Sequence, residues 1–354
     1  MEKESKQFLK DLLIQCGPSG FEQTIQKVWI NRTKKYADDI KKDVHGNAIA
    51  VLNPKADLKV MLAGHCDEIG FMITHVTSEG HLYFIPIGGI DSGVVPGSQV
   101  KILTKSGLVD GIIGKKAIHM MEVQERRELI PLKKLFIDIG AKDKKDALKT
   151  VAIGDALCVA PNFLTLKNNT FSSKGCDNRT GAFVVSQVLK ILHQQKSNLT
   201  VSGYSVSTVQ EEDGLRGATT SAFGVAPHAA IAVDVGHATD TPDADKNRNG
   251  DITLGGGPIL SKGPVINPVL GQLLIDTAQK KKVPYQMIGL GRPGGTDTGM
   301  IQLSRDGVAT ALVSVPNRYM HTAVEMCSFE DVKNTAELIA QTILSIKPKM
   351  NFIP

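Results

Sequence analysis

Leu58-Lys59-Val60-Met61-Leu62-Ala63-Gly64-His65-Cys66-Asp67-Glu68-Ile69-Gly70 is the stretch on which the fold turns. Its first half, Leu58–Ala63, is a short apolar run bounded by turn residues, the pattern of a buried strand. The run ends in a glycine, a histidine and two acids, and beyond Gly70 the texture of the chain changes. From about Gly70 to Pro161, short alternating runs (Phe71–Val76, His81–Ile87, Gln99–Thr104, Leu108–Ile113) are separated by glycines, with no long helical period before Lys142–Lys149. Such runs predict a small antiparallel barrel or sandwich.

On either side of that stretch helices and strands alternate. Phe8, Leu9, Leu12 and Leu13 fall at helical spacing and stop at Gly17-Pro18,. Ser19 with Glu22 three residues on predicts a capping box that opens a second helix through Ile25, Val28 and Trp29,. Asn47–Leu52 reads as another strand. After Phe171 the chain predicts helix at Thr180–Leu192, strands at Val201–Val209 and Ala229–Val235, and helix at Pro268–Lys282. Strand at Tyr285–Leu290, helix at Thr296–Ser304 and strand at Val308–Val315 follow. A last helix, from about Phe329 to Ile346, is capped by Ser328,. This alternation predicts an α/β sheet with helices on both faces, into which the β-rich stretch is inserted.

Composition narrows the function classes. A chain of 354 residues with 42% hydrophobic and 22% charged residues is neither disordered nor fibrous,. Its formal charge of +5 is spread along the chain and aromatics reach only 5%, which argues against nucleic acid as a partner,. No apolar run approaches the ~20 residues of a membrane span, and Met1–Lys6 lacks the apolar core of a signal peptide,. Five scattered cysteines with no Cys-x-x-Cys argue against a disulfide framework and fit a reducing, cytoplasmic setting,.

The chemistry lies at the strand ends. Leu58–Ala63 leads to His65 and Asp67, Val201–Val209 to Glu211 and Glu212, Ala229–Val233 to Asp234, and Val308–Val315 to His321. Asp177 sits just before a helix. In open α/β sheets ligands gather at the carboxyl ends of strands, so these residues are expected to meet in one crevice. Two histidines with several carboxylates are the mixture a two-metal hydrolytic centre needs. His65 and Asp67 are two apart, so an extended strand points both the same way, and Asp67 can fix the His65 tautomer. Adjacent Glu211 and Glu212 face opposite ways on a strand, one suited to metal and the other to base chemistry.

Each residue also has a plainer reading. A single Asp at a strand end is ordinarily a turn residue, and a Glu-Glu pair ordinarily a solvated face. His119, His193 and His228 have no acidic neighbours, and Cys66 and Cys176 read as small buried fillers. Gly255-Gly256-Gly257-Pro258 reads as a tight turn rather than a phosphate loop. No Gly-x-Ser-x-Gly elbow or His-Glu-x-x-His helix is present,.

Taken together, these residues resemble the glutamyl and deblocking aminopeptidases, the tetrahedral co-catalytic di-metal aminopeptidases, some of whose relatives are labelled endoglucanase. The resemblance rests on Gly17-Pro18-Ser19-Gly20, Gly64–Gly70, Ile137–Ala141, Lys174–Gly181, Glu211-Glu212 through Ala218, Ala232–Val235, Gly294–Asp297 and Val315–Thr322. It implies a zinc-exopeptidase-like mixed sheet sandwiched by helices, formed by residues 1–68 and 165–354. The resemblance further implies that an inserted small β-barrel domain, 69–164, would make dimer contacts. It implies two divalent ions per subunit, Zn2+ or Co2+, with Asp177 bridging. His65 and Asp234 would complete one ion, and Glu212 and His321 the other. Glu211 would be the general base acting on a metal-bridging water, and Asp67 the partner of His65. Peptide N-termini are the implied substrates, and a dodecamer closed from six dimers the implied assembly. Three positions depart from the family pattern: Asp213, Gly236-His237 after Asp234, and Thr298.

Two other hydrolases compete. A related metal-dependent N-acyl-amino-acid deacylase would cleave acylated rather than free-amine substrates. A glycoside hydrolase would need two carboxylates without metal, leaving both histidines unexplained. Arg292, four residues before Thr296, is the candidate for selecting acidic side chains.

Overall fold

In the computed structural model, which describes residues 1–354, eight strands pair in one sheet. Their order is Asp39–Lys42, Ala48–Leu52, Ser202–Thr208, Lys59–His65, Ala229–His237, Ala309–Asn317, Ile259–Lys262 and Gln286–Gly289. The four central strands, from Ser202–Thr208 to Ala309–Asn317, run parallel. Ala48–Leu52 and Ile259–Lys262 flank them antiparallel, making the sheet mixed. Lys59–His65, Ala229–His237 and Ala309–Asn317 are largely apolar because helices cover both faces, while Ser202–Thr208, rich in serine and threonine, is equally buried,. Helices Lys3–Leu13, Gln23–Thr33, Cys176–Gln194 and Phe329–Ser345 pack on one face; Arg216–Val225 and Asp297–Gln302 pack on the other.

Cys176–Gln194 is the central helix. Phe183, Val184, Val185, Val188, Leu189 and Leu192 are buried around most of its circumference. A helix with so little polar face is stable only inside a protein, and each such side chain contributes about 1.5–3 kcal/mol on burial. Its start lies unusually close to the sheet. A Cβ on Gly64 would stand 2.5 Å from the carbonyl carbon of Gly181. The strand that ends at His65 and the helix that carries Asp177 are thus in backbone contact.

The inserted stretch closes into a barrel, in the order Gly70–Val76, Leu82–Ile87, Ile137–Asp138, Gly107–Ile113, Gln99–Thr104 and Ala156–Val159. It has a core of its own built on Phe71, Ile73, Phe84, Val100 and Ile102. A third, unanticipated sheet joins Leu164–Thr165, Thr170–Ser172 and Met326–Ser328, tying the segment before Asp177 to the one after His321.

Two local expectations are corrected. Ser19 does not cap the second helix, which begins at Gln23 with no side-chain cap. Its hydroxyl donates to Asp67 at 2.5 Å, while the Glu22 carboxylate accepts the amides of Gly20 and Gln210. The cysteines are not all unpaired: Cys16 is bonded to Cys158, and the other three are free and buried. Their separation of 142 residues hides a pairing that appears only when the end of the barrel returns beside the first helix. Ser328, by contrast, caps its helix as read, accepting from Glu330 and Asp331. The glycine-rich turn at 255–258 closes on this chain's own carboxylate, with the amides of Gly255 and Gly257 donating to Asp331.

Gly64→Ala is expected to overpack the contact with Gly181 and destabilise the fold by about 1–3 kcal/mol. By calorimetry that lowers Tm by about 2–4 °C per kcal/mol. An unchanged Tm would mean that strand and helix are not held this closely.

Candidate metal centre

Parallel register brings the carboxyl ends of the central strands level, with Thr208 opposite His65 and Asp234 opposite Ser314. His65 is the last residue of its strand and 1% exposed; Asp67 lies in the turn that follows and is fully buried. Glu211 and Glu212 follow Ser202–Thr208 beyond a left-handed residue, Gln210 (φ 53°), that turns the chain into the crevice. Both therefore face the site from a loop, not from opposite sides of a strand. Asp234 projects from within its strand, and Asp177 (φ -79°, ψ 109°) from the non-helical entry to the central helix. His321, also left-handed at φ 60°, lies in the loop after Ala309–Asn317.

The seven residues named from sequence meet in one cluster. His65 Nε2 is 3.3 Å from Asp177 Oδ1, 3.7 Å from Glu211 Oε2 and 3.9 Å from Asp234 Oδ1. His321 Nε2 is 3.4 Å from the other oxygen of Asp177 and 3.5 Å from Glu212 Oε1. Donor atoms of His65, Asp177 and Glu212, and again of His65, Glu211 and Asp234, lie within 4.8 Å of one another.

Asp67 organises the arrangement from behind. It accepts the Ser19 hydroxyl and the backbone amides of Glu211 and Glu212, the latter two at 3.2 Å. Its Oδ1 is 3.3 Å from His65 Nδ1, in ion-pair contact but off the line of a hydrogen bond. His321 is oriented from outside the sheet: its Nδ1 is 2.7 Å from the carbonyl oxygen of Gly89, in the inserted stretch. Fixing one ring nitrogen aims the other at the cluster.

The electrostatics are those of crowded acids. Burial raises Glu211 to about 10 and Glu212 to about 8, with Asp234 and Asp177 respectively adding repulsion. Asp234 is raised by burial and by Asp177. Burial opposes the ionised form of Asp177 too, yet the imidazoles of His321 and His65 hold it below the usual range. His321 is raised to about 9, chiefly by its contact with Asp177. Five carboxylates thus share two imidazoles, and Glu212 Oε1 is buried without a hydrogen-bond partner. Carboxylates this close cannot all ionise without added positive charge. The set offers nitrogen and oxygen donors suited to divalent cations such as zinc or cobalt.

Sequence reasoning missed the scaffold around the cluster. Glu68 receives Lys174 Nζ at 2.6 and 2.8 Å and Arg179 Nη2 at 2.7 Å, all three groups buried. Arg179 and Lys174 also bond the carbonyls of Leu13 and Gln15, so this network pins the first helix to the Asp177 turn. Glu325, four residues after His321, was likewise passed over. His119, His193 and His228 stay out of the site, as read; His228 accepts the Lys59 amide and His193 packs edge-on against Tyr36. The cleft in front of the cluster, about 490 Å³, is lined by His237, Arg248, Ser261, Leu312 and Met320 but not by Arg292.

An α/β sheet with a histidine–carboxylate cluster at its strand ends and an inserted barrel defines a class of hydrolase, and comparison with known proteins places the chain within it. The sequence profile of the M42 glutamyl aminopeptidase family matches residues 46–338, and the chain belongs to that family. It is 34% identical over 353 residues to a lysyl aminopeptidase of Pyrococcus furiosus, covering 98% of this chain and 99% of that one. The TET aminopeptidase of a marine-sediment thaumarchaeote, Thaumarchaeota archaeon SCGC AB-539-E09, superposes with a TM-score of 0.92 at 30% identity, covering 98% of both chains. The Pyrococcus horikoshii TET1 peptidase, which can assemble into a tetrahedron or a large octahedral shell, matches at TM-score 0.87 and 31% identity over 97% of this chain and 100% of that one.

Glu211, Glu212 and His321 all hold protons more firmly in the fold than in the unfolded chain, where carboxylates titrate near ~4.3 and histidine near ~6.5,. Their contribution to cation-free stability is complete below those unfolded values and is lost as pH rises through about 8 to 10,. Asp67, Glu68 and Asp177 are lowered and act oppositely, losing stability only in acid. The Tm of chelated protein is therefore expected to fall from pH 6 to pH 9, less steeply once divalent cations are added. A Tm that rises over that range in chelator would contradict this electrostatic account.

Proposed function

We propose that this chain is an aminopeptidase with a co-catalytic pair of divalent cations, zinc or cobalt, releasing N-terminal residues from peptides. One observation carries the reading: the two oxygens of Asp177 face different histidines, His65 at 3.3 Å and His321 at 3.4 Å. A carboxylate so placed is built to span two cations. His65 and Asp234 would hold one, Glu212 and His321 the other. Bound there, the cations would polarise the scissile carbonyl and make water acidic enough to supply hydroxide near neutral pH.

This chain's own groups do the rest. Glu211 is the general base, taking a proton from the attacking water and passing it to the leaving amine. Burial raises its proton affinity, and the Asp67 carboxylate accepts its backbone amide and fixes where it stands. Asp67 also holds the side of His65 that faces away from the cluster. The cleft ahead of Glu211 has room for an N-terminal side chain, and Arg248, rather than Arg292, is the cation that lines it. The catalytic part comprises residues 1–68 with 165–354, and the insertion spans 69–164.

The subunit works in a homo-oligomer. Apolar side chains on and beside the barrel, among them Leu108, Ile112, Met120, Val123 and Leu129, are more than half exposed. Exposed apolar clusters of this kind mark protein contacts. With TET assemblies among its likenesses, dimers joining into a dodecameric shell are the assembly these surfaces favour.

Amino-acid release from unblocked and N-acylated peptides, in chelator and after zinc or cobalt reloading, tests the activity. The reading expects metal-dependent cleavage of unblocked substrates alone; turnover of acylated ones only would make the protein a deacylase. Glu211→Gln is expected to keep its metal content while the rate falls about 10²–10⁴-fold. Because Glu211 lies as close to His65 and Asp234 as a ligand would, loss of metal from that variant would reassign it from base to ligand.

A further inference from the structure

Glu325 lies four residues beyond His321 and is buried at 2% exposure, with no lysine, arginine or histidine within ion-pair distance. Its carboxylate is held by two backbone amides. Oε2 accepts the N–H of Asp177 at 2.8 Å, and Oε1 accepts the N–H of His321 at 2.9 Å. Its own carbonyl accepts the N–H of Ser173, so the residue grips the Asp177 turn twice. Asp177 and His321 are 144 positions apart in sequence, from 321 − 177, and Glu325 is the side chain that joins their backbones.

The chemistry of the joint calls for a carboxylate. Both partners are donors, so both ends of the bridging group must accept. A glutamine in its place would set an NH2 against one of the two N–H groups. An aspartate is one methylene short of spanning them. The N–H of His321 also belongs to a residue at φ 60°, a conformation that side-chain-bearing residues adopt only when their surroundings impose it,.

We propose that Glu325 is a positioning residue that sets the span between Asp177 and His321 and thereby builds the cation site that these two share with Glu212. The proposal rests on the two-cation reading above. The site of His65 and Asp234 depends on Glu325 only through the shared Asp177, whereas the other depends on it through both Asp177 and His321, so the effect of losing it is unequal. Supporting groups behind metal ligands typically change affinity 10–100-fold.

The test is Co2+ binding to the full chain by equilibrium dialysis, with the cobalt absorption spectrum recorded at each step, in wild type, Glu325→Gln and Glu325→Asp. Two tight equivalents are expected in wild type. The variants should keep one, with its spectrum unchanged, and bind the second 10–100-fold more weakly, lowering kcat at 10 μM cobalt with KM little altered. A purely structural role would weaken both equivalents together and lower Tm in proportion. Two equivalents at wild-type affinity in the variants overturns the role of Glu325 while leaving the two-cation reading standing. Fewer than two in wild type overturns both. If Glu325→Gln does not fold, Glu325→Asp decides by the same criterion.

Discussion

The crowding of buried acids at the ends of four parallel strands is the constraint around which this structure is arranged. Asp67, Asp177, Glu211, Glu212 and Asp234 lie within reach of two imidazoles, and Asp297 and Glu325 stand close behind. In a low-dielectric interior, carboxylates packed this way repel one another and lose their hydration, a combined penalty larger than the net stability of most domains. The fold answers it with donors. Backbone amides of Glu211 and Glu212 meet Asp67, those of Asp177 and His321 meet Glu325, and the Thr208 hydroxyl meets Asp297 at 2.7 Å. What these donors leave uncompensated is charge that the proposed divalent cations would supply.

Rigidity around the cluster follows from the same need. Donors several ångströms out of place would leave acids unpaired, so the parts that carry them are locked by close contacts. Gly64 against Gly181 sets the distance between the His65 strand and the Asp177 helix. Glu68, bonded by Lys174 and Arg179, fixes the turn between them, and a buried ion pair of this kind is costly to break, about 3–5 kcal/mol when one partner is lost,. The inserted barrel participates as well. The Gly89 carbonyl holds the ring of His321, and the Cys16–Cys158 bond joins the barrel's last strand to the end of the first helix. The insertion is thus part of the site's frame.

Much of this was legible in the sequence because its signals are local. Alternation of apolar runs with helical periods pointed to the α/β sheet, the glycine-punctuated stretch from Gly70 to the barrel, and acids or histidines one to six residues past apolar runs, with Asp177 just before a helix, to the cluster. Ser328 was readable as a cap because its partners are two and three residues away. What was not legible depends on distant partners. Ser19 has the sequence of a capping residue, but Asp67, 48 positions on, offers its hydroxyl a buried acceptor that the helix end cannot match. Cys16 and Cys158 carry no pairing motif. Glu325 and Arg248 look like surface residues until folding places one under two ligand backbones and the other on the cleft. Arg292 was chosen for its nearness in sequence to Thr296, and chain proximity is a poor guide where a loop turns away.

The central claim is that Asp177 stands between two cations. Crystals of zinc-loaded protein, measured on either side of the zinc absorption edge, test it directly. The account predicts two anomalous peaks per subunit, one beside each oxygen of Asp177, with His65 and Asp234 on one and Glu212 and His321 on the other. A single peak, or two peaks that do not share Asp177, would contradict it.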